Sequence, residues 1–451
     1  MREISIVLLG FGSANQAFVE MMLNKSETFQ HRRCICISNC SNETQWIPWR
    51  IVSIVTGRHG KVCIPNTGTT ENAFWCEVNA EEAMQRIKSG GMLDDSLLVE
   101  TDGITCCRVK DRFDSTIYLG EKNSAPQHQG LSPDETSTQQ TIEMLKALGS
   151  TNAANIVVEA IPSNPRSEGG GEPAVSFIQT SLEAGMHVVS ANKGPLAQQT
   201  SSHDEFTQEV YWNLQQIASN NKVRYLHESA VMDGVPIFSL WKHTLPNAIL
   251  TKIRGCLNST STMILTRMEG RDGETFEEAL RAAKEMGIVE RDESLDLDGY
   301  DAAVKLRALL VVFSSLHTSE GVKIVVPSIE DIPRDSIRSI TREDVQQAYA
   351  DGAKKYRLVA TAELVDASKS NAPCSRNLAV DDSNRIQLWN AKVQLEAVSH
   401  ADPIYNLTGT SSSVQFHTDV LGPITMVSTD PSLVDTAYGL FSDVVRIASY
   451  S

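Results

Sequence analysis

The sequence predicts an α/β fold in which a doubly wound, nucleotide-type domain is joined to a second domain of the α+β class. Three observations lead to this prediction. An apolar run, Ile4–Leu9, passes through a glycine turn into helical spacing of apolar residues. Strands and helices alternate again between residues 155 and 218. Beyond residue 225 the pattern changes to long strands mixed with helices, which indicates a separate domain.

Size and charge limit the classes of partner. The chain has 451 residues, of which 41% are hydrophobic and 21% charged, and this globular composition and length allow two or three domains. The 40 Lys and Arg against 56 Asp and Glu leave a net charge of −16. Such an acidic chain opposes binding to nucleic acid or to an anionic membrane surface, so we expect neither partner. A small anionic ligand stays open, because a glycine-rich loop or one arginine can bind phosphate.

The cysteines and the N-terminus indicate the compartment. Nine cysteines, an odd number, favour a reducing environment. A cluster at Cys34, Cys36 and Cys40 lacks the paired spacing of a zinc site, and we interpret these residues as buried or unreactive thiols. The N-terminus lacks a signal-peptide pattern, and no apolar run has the roughly 20 residues of a membrane span. We therefore expect a cytoplasmic protein.

The elements of the first domain follow from hydrophobic spacing and from turn residues. In order, the sequence predicts a strand at 4–9, a helix at 14–23, strands at 50–55 and 155–161, a helix at 174–184, a strand at 187–190 and a helix at 204–218. The stretch at 34–45, rich in Cys, Ser and Asn, belongs to a long first crossover. Residues 114–139, rich in Ser, Gln and Pro, are typical of a solvated loop.

The second domain mixes helices and strands. The sequence predicts helices at 275–287 and 300–316, a strand at 356–364 and a pair of strands between 414 and 427. We place the first domain at residues 1–225, completed by 430–451, and the second at 226–429.

The glycine turn after the first strand favours a Rossmann-like dinucleotide-binding domain. Gly10 permits the turn, and Gly12 lets the backbone approach a pyrophosphate at the helix N-terminus. The third glycine of this fingerprint is replaced by Asn15, which predicts looser packing of helix on strand and a displaced pyrophosphate. Arg58 follows the second strand, where an acid would bind a ribose hydroxyl. An arginine there favours NADP over NAD, and a solvated turn residue is the alternative interpretation.

An acid and a lysine share one helix face in the second domain. Asp301 and Lys305 are four residues apart at the start of a predicted helix whose other face is apolar. The preceding residues hold five acids, Glu290, Asp292, Glu293, Asp296 and Asp298. This is more carboxylate than one helix N-terminus needs. The cluster suits a substrate ammonium group or a cation, although a surface ion pair would show the same spacing.

Five ordered motifs make the chain similar to the homoserine dehydrogenase family over nearly its whole length. They lie at residues 191–197, 228–236, 255–265, 290–306 and, as the closing elements, 402–410 with 436–443. In the fourth motif, Glu, Asp and Lys fall at the family's relative spacing around Gly-x-Asp-x-Ala-x-Lys-Leu.

The resemblance implies reduction of L-aspartate 4-semialdehyde to L-homoserine by NAD(P)H, in the threonine and methionine branch of amino-acid biosynthesis. It also implies a homodimer, and we expect a monofunctional chain without aspartate kinase or regulatory domains. Hydride transfer to a carbonyl carbon leaves an alkoxide, which needs a proton donor and positive charge nearby. Lys305 and Lys193 are the candidates, and which of them protonates the alkoxide stays open.

The resemblance further implies a role for each site residue. Glu290 would bind the substrate ammonium group. Asp301 would form a hydrogen bond to the substrate and orient Lys305. Asp296 would be a supporting acid, and Thr260 would contact the substrate. The residues implied for the cofactor are Gly10, Gly12, Ser13, Ala14, Arg58 and Lys193. Glu228, with the carbonyls of Val231, Asp233 and Val235, matches the family's monovalent-cation loop, for sodium as an example. A plain turn is the alternative there.

Four departures from the family pattern keep two other functions open. They are Asn15, Ser259 in place of glycine, Glu293 in place of proline, and the segment 428–433 without the usual glycines. Because that last segment normally approaches the cofactor, we expect reshaped or weakened nicotinamide binding. The first alternative is a divergent paralogue that reduces another small amino-acid semialdehyde in a specialised pathway. The second is a non-catalytic nucleotide-binding homologue.

Overall fold

The chain forms two compact units. The computed structural model describes residues 3–29, 32–38, 44–63, 76–100, 133–162, 171–199, 209–270, 273–290, 292–316, 322–367 and 385–450. Unit 1 consists of Met1–Pro195, Asn213–Ala230 and Leu433–Ser451. Unit 2 consists of Leu196–Trp212 and Val231–Ser432. Each unit therefore gathers segments that are far apart in the sequence.

Unit 1 is built on a twisted sheet with helices. The elements up to residue 226 are β1 (Ile4–Leu9), α1 (Ser13–Asn24), β2 (Glu27–Phe29), β3 (Arg32–Ser38), β4 (Thr44–Val55), β5 (Lys61–Cys63), β6 (Cys76–Val78), α2 (Ala80–Lys88), β7 (Leu98–Glu100), α3 (Pro133–Ser150), β8 (Ile156–Glu159), α4 (Ala174–Glu183), β9 (His187–Ser190), α5 (Gly194–Ala197), α6 (Val210–Asn220) and β10 (Tyr225–Leu226). The predicted first strand-turn-helix unit and the predicted β8, α4 and β9 are confirmed.

The sheet has the order β10-β9-β8-β1-β4-β3-β2, and β5 pairs with β4. The pairs from β10 to β4 are parallel, so β1, β4, β8 and β9 end at the same edge. Ligands of such sheets bind outside the carboxyl ends of the strands. The fully buried β1, in which only Ser5 interrupts the apolar sequence, is the central strand that this arrangement requires.

Of three sequence-based expectations in unit 1, the long first crossover agrees with the described residues, the loop at 114–139 was partly wrong, and the helix at 204–218 falls partly outside the described residues. The connection between the parallel strands β1 and β4 is long, as expected, and includes β3, so residues 34–38 lie in it; residues 44 and 45 already belong to β4, which pairs antiparallel with β3. Residues 133–139 begin α3, where the predicted loop would continue. Residues 114–132 lie outside the described part of the chain. The helix predicted at 204–218 corresponds to α6, which begins at Val210, and residues 204–208 also lie outside the described part.

Unit 2 is a six-stranded sheet covered by helices. Its elements, with the C-terminal helix of unit 1, are α7 (Ile237–Thr244), β11 (Leu250–Cys256), α8 (Ser259–Arg267), α9 (Phe276–Glu285), α10 (Ser294–Leu297), α11 (Tyr300–Ser315), β12 (Val322–Val325), α12 (Arg342–Ala350), β13 (Lys355–Asp366), β14 (Arg385–Val398), β15 (Ser412–Thr418), β16 (Ile424–Ser428) and α13 (Leu433–Tyr450). The strand order is β12-β14-β13-β11-β15-β16, and β12 is parallel to β14 while the other pairs are antiparallel.

The core of unit 2 holds α11 against the sheet. Phe313 of α11 packs with Trp241 and Phe416, with ring centroids 5.3 and 5.4 Å apart. Arg307, on the same helix, is also buried and forms an ion pair with buried Glu209. Its Nη2 lies 2.9 Å from each of the two carboxylate oxygens. A paired buried charge tolerates the loss of water only while both partners are present. The helix is therefore fixed at two points.

The closing motifs have structural contacts. Asp402 accepts hydrogen bonds from Arg254 Nη1 at 2.9 Å and from the Ile404 N–H at 3.1 Å, which fixes the turn after β14. In unit 1, α13 packs against α1, and Asp443 accepts from the Glu228 N–H at 2.8 Å. Among the described residues, no helix combines the length and apolar character needed to cross a membrane.

A half-buried histidine at the start of β9 predicts a pH dependence of stability. His187 Nδ1 accepts a hydrogen bond from the Arg224 N–H at 3.0 Å. Burial, and then the charge of Arg224, lower the pKa of His187 from 6.5 to about 4. Because the folded pKa is the lower one, the unfolded chain binds more protons between these values. The free energy of unfolding is thus highest above pH 6.5 and falls as the pH drops toward 4.

For His187, the expected loss between pH 7.5 and 5 is about 1–2 kcal/mol after allowance for partial exposure. His187→Asn is the matched variant, because an amide oxygen can accept from the Arg224 N–H and does not titrate. Urea unfolding at both pH values measures the difference. An equal pH dependence in wild type and His187→Asn would contradict this explanation.

Candidate active site

The acid and lysine of α11 form an ion pair at the start of the helix. Lys305 Nζ lies 3.0 Å from Asp301 Oδ2 and donates to the Leu257 carbonyl at 3.0 Å. Asp301 is buried, and Lys305 is partly exposed. These contacts use two of the three ammonium donors, and the third is available to a substrate oxygen. The predicted shared face of Asp301 and Lys305 is confirmed.

Asn258 joins two carboxylates, and sequence reasoning missed this role. Its Nδ2 donates to Asp296 Oδ1 at 2.8 Å and to Asp301 Oδ2 at 3.0 Å. Its Oδ1 accepts from the Ser261 N–H at 2.7 Å and caps α8. The cap fixes the orientation of the amide, so the donor side must face the acids. An Asn two residues before Thr260 in the third motif was the available signal.

Asp296 is the second buried acid of the site. Its Oδ2 accepts from the Glu290 N–H at 3.0 Å. Burial raises the pKa of Asp296, Asp301 raises it further, and the donors from Glu290 and Asn258 oppose the shift. These hydrogen bonds favour the charged form of the carboxylate, which couples its protonation to the positions of Glu290 and Asn258.

The five acids before α11 divide into a buried and an exposed group. Asp296 is buried, whereas the side chain of Glu290 is exposed. Glu293 forms ion pairs with Lys284 and Arg338, the latter at 3.1 Å, and Asp298 accepts from Arg338 at 3.1 Å. Glu293, which replaces the usual proline, therefore makes surface contacts. The acids before α11 thus serve two purposes: Asp296 belongs to the buried site, and Glu293 and Asp298 form ion pairs at the surface.

Thr260 lies in the first turn of α8, next to Asn258. It is 5% exposed, and its hydroxyl donates to the Ile288 carbonyl at 3.1 Å. A substrate contact through this hydroxyl would have to use its lone pairs. The hydrogen bond also fixes the segment that leads to Glu290.

The glycine turn of unit 1 has the shape that a phosphate site needs. Gly10 has φ +76°, and a Cβ there would lie 2.6 Å from the Ala160 carbonyl oxygen. Gly12 precedes α1, is exposed, and has open space where a Cβ would be. Ser13 and Ala14 follow in the first turn, and α1 has no side-chain cap or acid there. The free N–H groups of this turn suit an anion.

Asn15, in place of the third glycine, faces inward. It is fully buried, and its Nδ2 donates to the carbonyls of Gly10 at 2.5 Å and Leu9 at 3.2 Å. A third contact reaches the Val158 carbonyl at 3.5 Å. In place of the looser packing that the sequence suggested, the amide ties α1 to the ends of β1 and β8. Where the fingerprint's third glycine allows close packing by its small size, Asn15 holds the helix to the strands by hydrogen bonds.

Arg58 lies in the turn after β4, the parallel neighbour of β1. It is exposed, and its neighbours fix the turn: the His59 N–H donates to Thr56 Oγ1 at 2.8 Å, and the Thr56 N–H to the Gly60 carbonyl at 2.9 Å. A rigid turn with an exposed arginine beside the glycine turn can receive a second phosphate.

Lys193 follows β9, at the carboxyl edge of the sheet. It is half-buried and lies between Asn192 and Gly194, which are joined by a 2.9 Å hydrogen bond from the Gly194 N–H to Asn192 Oδ1. The backbone on both sides of this lysine is therefore fixed.

The predicted cation loop falls on two units, which are described separately. In unit 1, Glu228 Oε2 accepts from Arg446 Nη2 at 3.1 Å. In unit 2, Val231 and Val235 flank Met232 and Asp233, whose φ values are +58° and +59°. Both residues lie in the left-handed region, which residues other than glycine seldom adopt. Within the described ranges, no group of three or more His, Cys, Asp and Glu side chains forms a metal site.

The segment 428–433 contains one left-handed residue although it has no glycine. Asp430 has φ +45°, in the region that Asn and Asp tolerate best after glycine. A Cβ placed on Gly409 would lie 2.6 Å from Asp430 Oδ1, so the acid packs on Gly409. A left-handed residue is thus present in this segment, and it is an aspartate.

The comparisons with known proteins agree on one family. Residues 236–445 match the family model for homoserine dehydrogenase. An NAD(+)-dependent homoserine dehydrogenase of Pseudomonas canavaninivorans is 29% identical over 294 residues, 65% of this chain and 71% of that protein. A homoserine dehydrogenase of Methanocaldococcus jannaschii is 29% identical over 315 residues, 70% of this chain and 78% of that protein.

A solved structure shares the fold. It is a hyperthermophilic archaeal homoserine dehydrogenase in complex with NADPH, with a TM-score of 0.60 and 20% identity. The match covers 100% of this chain and 98% of that one. The predicted fold class, a Rossmann-like dinucleotide-binding domain with a second α+β domain, is confirmed.

Proposed function

Because the chain belongs to the homoserine dehydrogenase family as a divergent member, we propose that it interconverts L-aspartate 4-semialdehyde and L-homoserine with a nicotinamide cofactor. The observation that carries the proposal is the buried network in which Asn258 joins Asp296 and Asp301 beside Lys305. A buried pair of acids next to a lysine suits a substrate with a carbonyl to be protonated and an ammonium group to be bound.

We propose the following roles in unit 2. Lys305 supplies positive charge, and a proton if Lys193 does not, to the oxygen that becomes an alkoxide. Asp301 orients Lys305 through the 3.0 Å contact. Glu290, exposed beside buried Asp296, would bind the ammonium group, and Thr260 would contact the substrate.

For the cofactor we propose the carboxyl edge of the sheet in unit 1, with NADP preferred. When bound, a reduced nicotinamide supplies the hydride. The phosphates would meet Gly10, Gly12, Ser13 and Ala14, whose N–H groups and open space fit them. Arg58 would meet the 2′-phosphate, and NAD stays possible because one exposed arginine is a weak discriminator. Lys193 would lie beside the nicotinamide.

A pair of glycine variants tests this cofactor site. Gly10→Ala places a Cβ 2.6 Å from a carbonyl oxygen at φ +76°, and we expect a loss of at least about 2 kcal/mol of stability. Gly12→Ala meets no atom of the chain within 4 Å, so it should fold normally and bind NADPH about tenfold more weakly, since the new methyl group occupies space for phosphate. Thermal unfolding and fluorescence titration measure the two effects. Unchanged NADPH affinity in Gly12→Ala would exclude the proposed phosphate position.

The activity is tested by following NADPH and NADH oxidation with a panel of short semialdehydes. Preference for aspartate semialdehyde supports the proposal. Preference for another semialdehyde supports the divergent paralogue, which the altered segment 428–433 favours. Cofactor binding without turnover on any aldehyde would indicate the non-catalytic homologue.

Three further properties belong to the proposal. A homodimer is supported by the edge strand β16 and by exposed Val420, Leu421 and Val427 on the β15–β16 hairpin, and sedimentation velocity tests it.

A cytoplasmic location is supported by the cysteine usage. A monovalent cation would rest on the carbonyls of Val231, Asp233 and Val235, because Arg446 already balances Glu228. Thermal unfolding in sodium and in choline chloride tests the cation.

A further inference from the structure

A buried glutamate at the end of β8 has no role in the chemistry described so far. Glu159 has no exposed surface. Its three donors are uncharged: the Ser190 hydroxyl at 2.5 Å, the Ile161 N–H at 2.9 Å and the Asn192 amide at 3.4 Å. Burial raises the pKa of Glu159, and the three hydrogen bonds oppose the shift. A carboxyl in this position is costly unless its donors stay in place.

The donors belong to the turn that carries Lys193. The Ala191 N–H donates to the Glu159 carbonyl at 3.0 Å, and the Asn192 N–H to Ser190 Oγ at 2.9 Å. The Gly194 N–H donates in turn to Asn192 Oδ1 at 2.9 Å. Glu159 is thus bonded to Ser190 and Asn192 directly, and to Gly194 through Asn192. Every residue next to Lys193 is fixed by this one network.

We propose that Glu159 is the positioning residue for Lys193. The inference rests on the role proposed for Lys193 at the reacting centre. Because β8 and β9 are parallel neighbours inside the sheet, the carboxylate connects the end of one strand to the turn after the other. A lysine with several rotatable bonds needs a fixed backbone to deliver its charge to one point. The network supplies that fixed backbone.

Two variants break the network at different atoms. Glu159→Gln replaces one acceptor oxygen with a donor, and Ser190→Ala removes the hydroxyl between Glu159 and Asn192. Ser181→Ala is the matched control, because it also removes a fully buried hydroxyl of unit 1, one that donates to the Phe177 carbonyl at 2.7 Å. Ser190→Thr keeps the hydroxyl and serves as the conservative variant.

The readouts are kcat and KM with aspartate semialdehyde, and the NMR signal of ¹³C-methylated Lys193, assigned by Lys193→Arg. For Glu159→Gln and Ser190→Ala we expect kcat to fall about 10- to 100-fold, a moved or broadened Lys193 signal, and KM for NADPH within about threefold. Ser181→Ala and Ser190→Thr should change neither readout.

A fall in kcat with an unmoved Lys193 signal would show that Glu159 acts on structure alone and overturns the proposal, as would unchanged values in both variants. If the wild type reduces no semialdehyde, the proposed function fails, and the Lys193 signal still decides whether Glu159 holds the turn. If Glu159→Gln does not fold, the comparison of Ser190→Ala with Ser181→Ala gives the decision.

Discussion

Lys305→Met is expected to lower kcat for aldehyde reduction about 10³-fold while KM for NADPH stays within about threefold. The variant keeps the length of the side chain and removes the ammonium that lies 3.0 Å from Asp301 and 3.0 Å from the Leu257 carbonyl. The developing alkoxide then lacks both positive charge and a proton donor, and Asp301 stays buried without its cation. Steady-state kinetics at saturating cofactor measure the loss.

Lys284→Met is the matched control for this variant, since Lys284 forms a surface ion pair with Glu293 in the same unit. It should keep full activity. Comparison with Lys193→Met identifies the proton donor: reduction slows at high pH as the donor loses its proton, and this limb of the profile disappears when the donor is removed. If Lys305→Met retained more than about a tenth of wild-type kcat, a role of Lys305 in the reaction would be ruled out.

Asn258→Ser is expected to lower kcat about 10- to 100-fold and to move the acid limb of the kcat/KM profile to higher pH. Serine can still cap α8 by accepting from the Ser261 N–H, so the helix is kept and only the link between Asp296 and Asp301 is lost. Each carboxylate then loses a donor that stabilises its charged form. The pKa of Asp296, already raised by burial, rises further, and activity that needs this charge requires a higher pH.

Asn258→Ala loses the cap as well, and the difference between the two variants in unfolding free energy should be about 1 kcal/mol. Asn79→Ser supplies the control, because Asn79 caps α2 by accepting from the Glu82 N–H at 3.2 Å and is not part of this network. Its pH profile should match that of the wild type. An unshifted acid limb in Asn258→Ser would mean that the amide does not set the charge of these acids.

Local patterns made part of the fold predictable. The first strand-turn-helix unit follows from an apolar run and two glycines, and Gly10 has the left-handed conformation that such a turn needs. The contact of Asp301 with Lys305 follows from helix geometry alone. In both cases the interacting residues are neighbours in the sequence.

Contacts between distant segments were not predictable in the same way. Asn15 was interpreted through its size, whereas its amide donates to strand ends that only the fold brings together. Glu159 and Ser190 are 31 residues apart, and each on its own has an ordinary sequence context. Glu159 was detectable only as an acid that closes an apolar strand.

One error came from the weighting of signals that were present. Pro133, Asp134 and Glu135 form a typical helix start, with proline in the first turn and acids beside it. The preceding residues, rich in Ser and Gln, extended the loop prediction across this start. The helix α3 begins at Pro133.

The return of α13 to unit 1 has a consequence for how the protein is made. The chain passes between the units after residues 195, 212, 230 and 432, and α13 packs on α1. The surface of α1 that α13 covers stays exposed until residues 433–450 have been translated and released, and all of unit 2 is translated before them. No uninterrupted piece of the gene therefore encodes unit 1, and expression of that unit by itself would require α13 to be joined through a linker to an earlier segment.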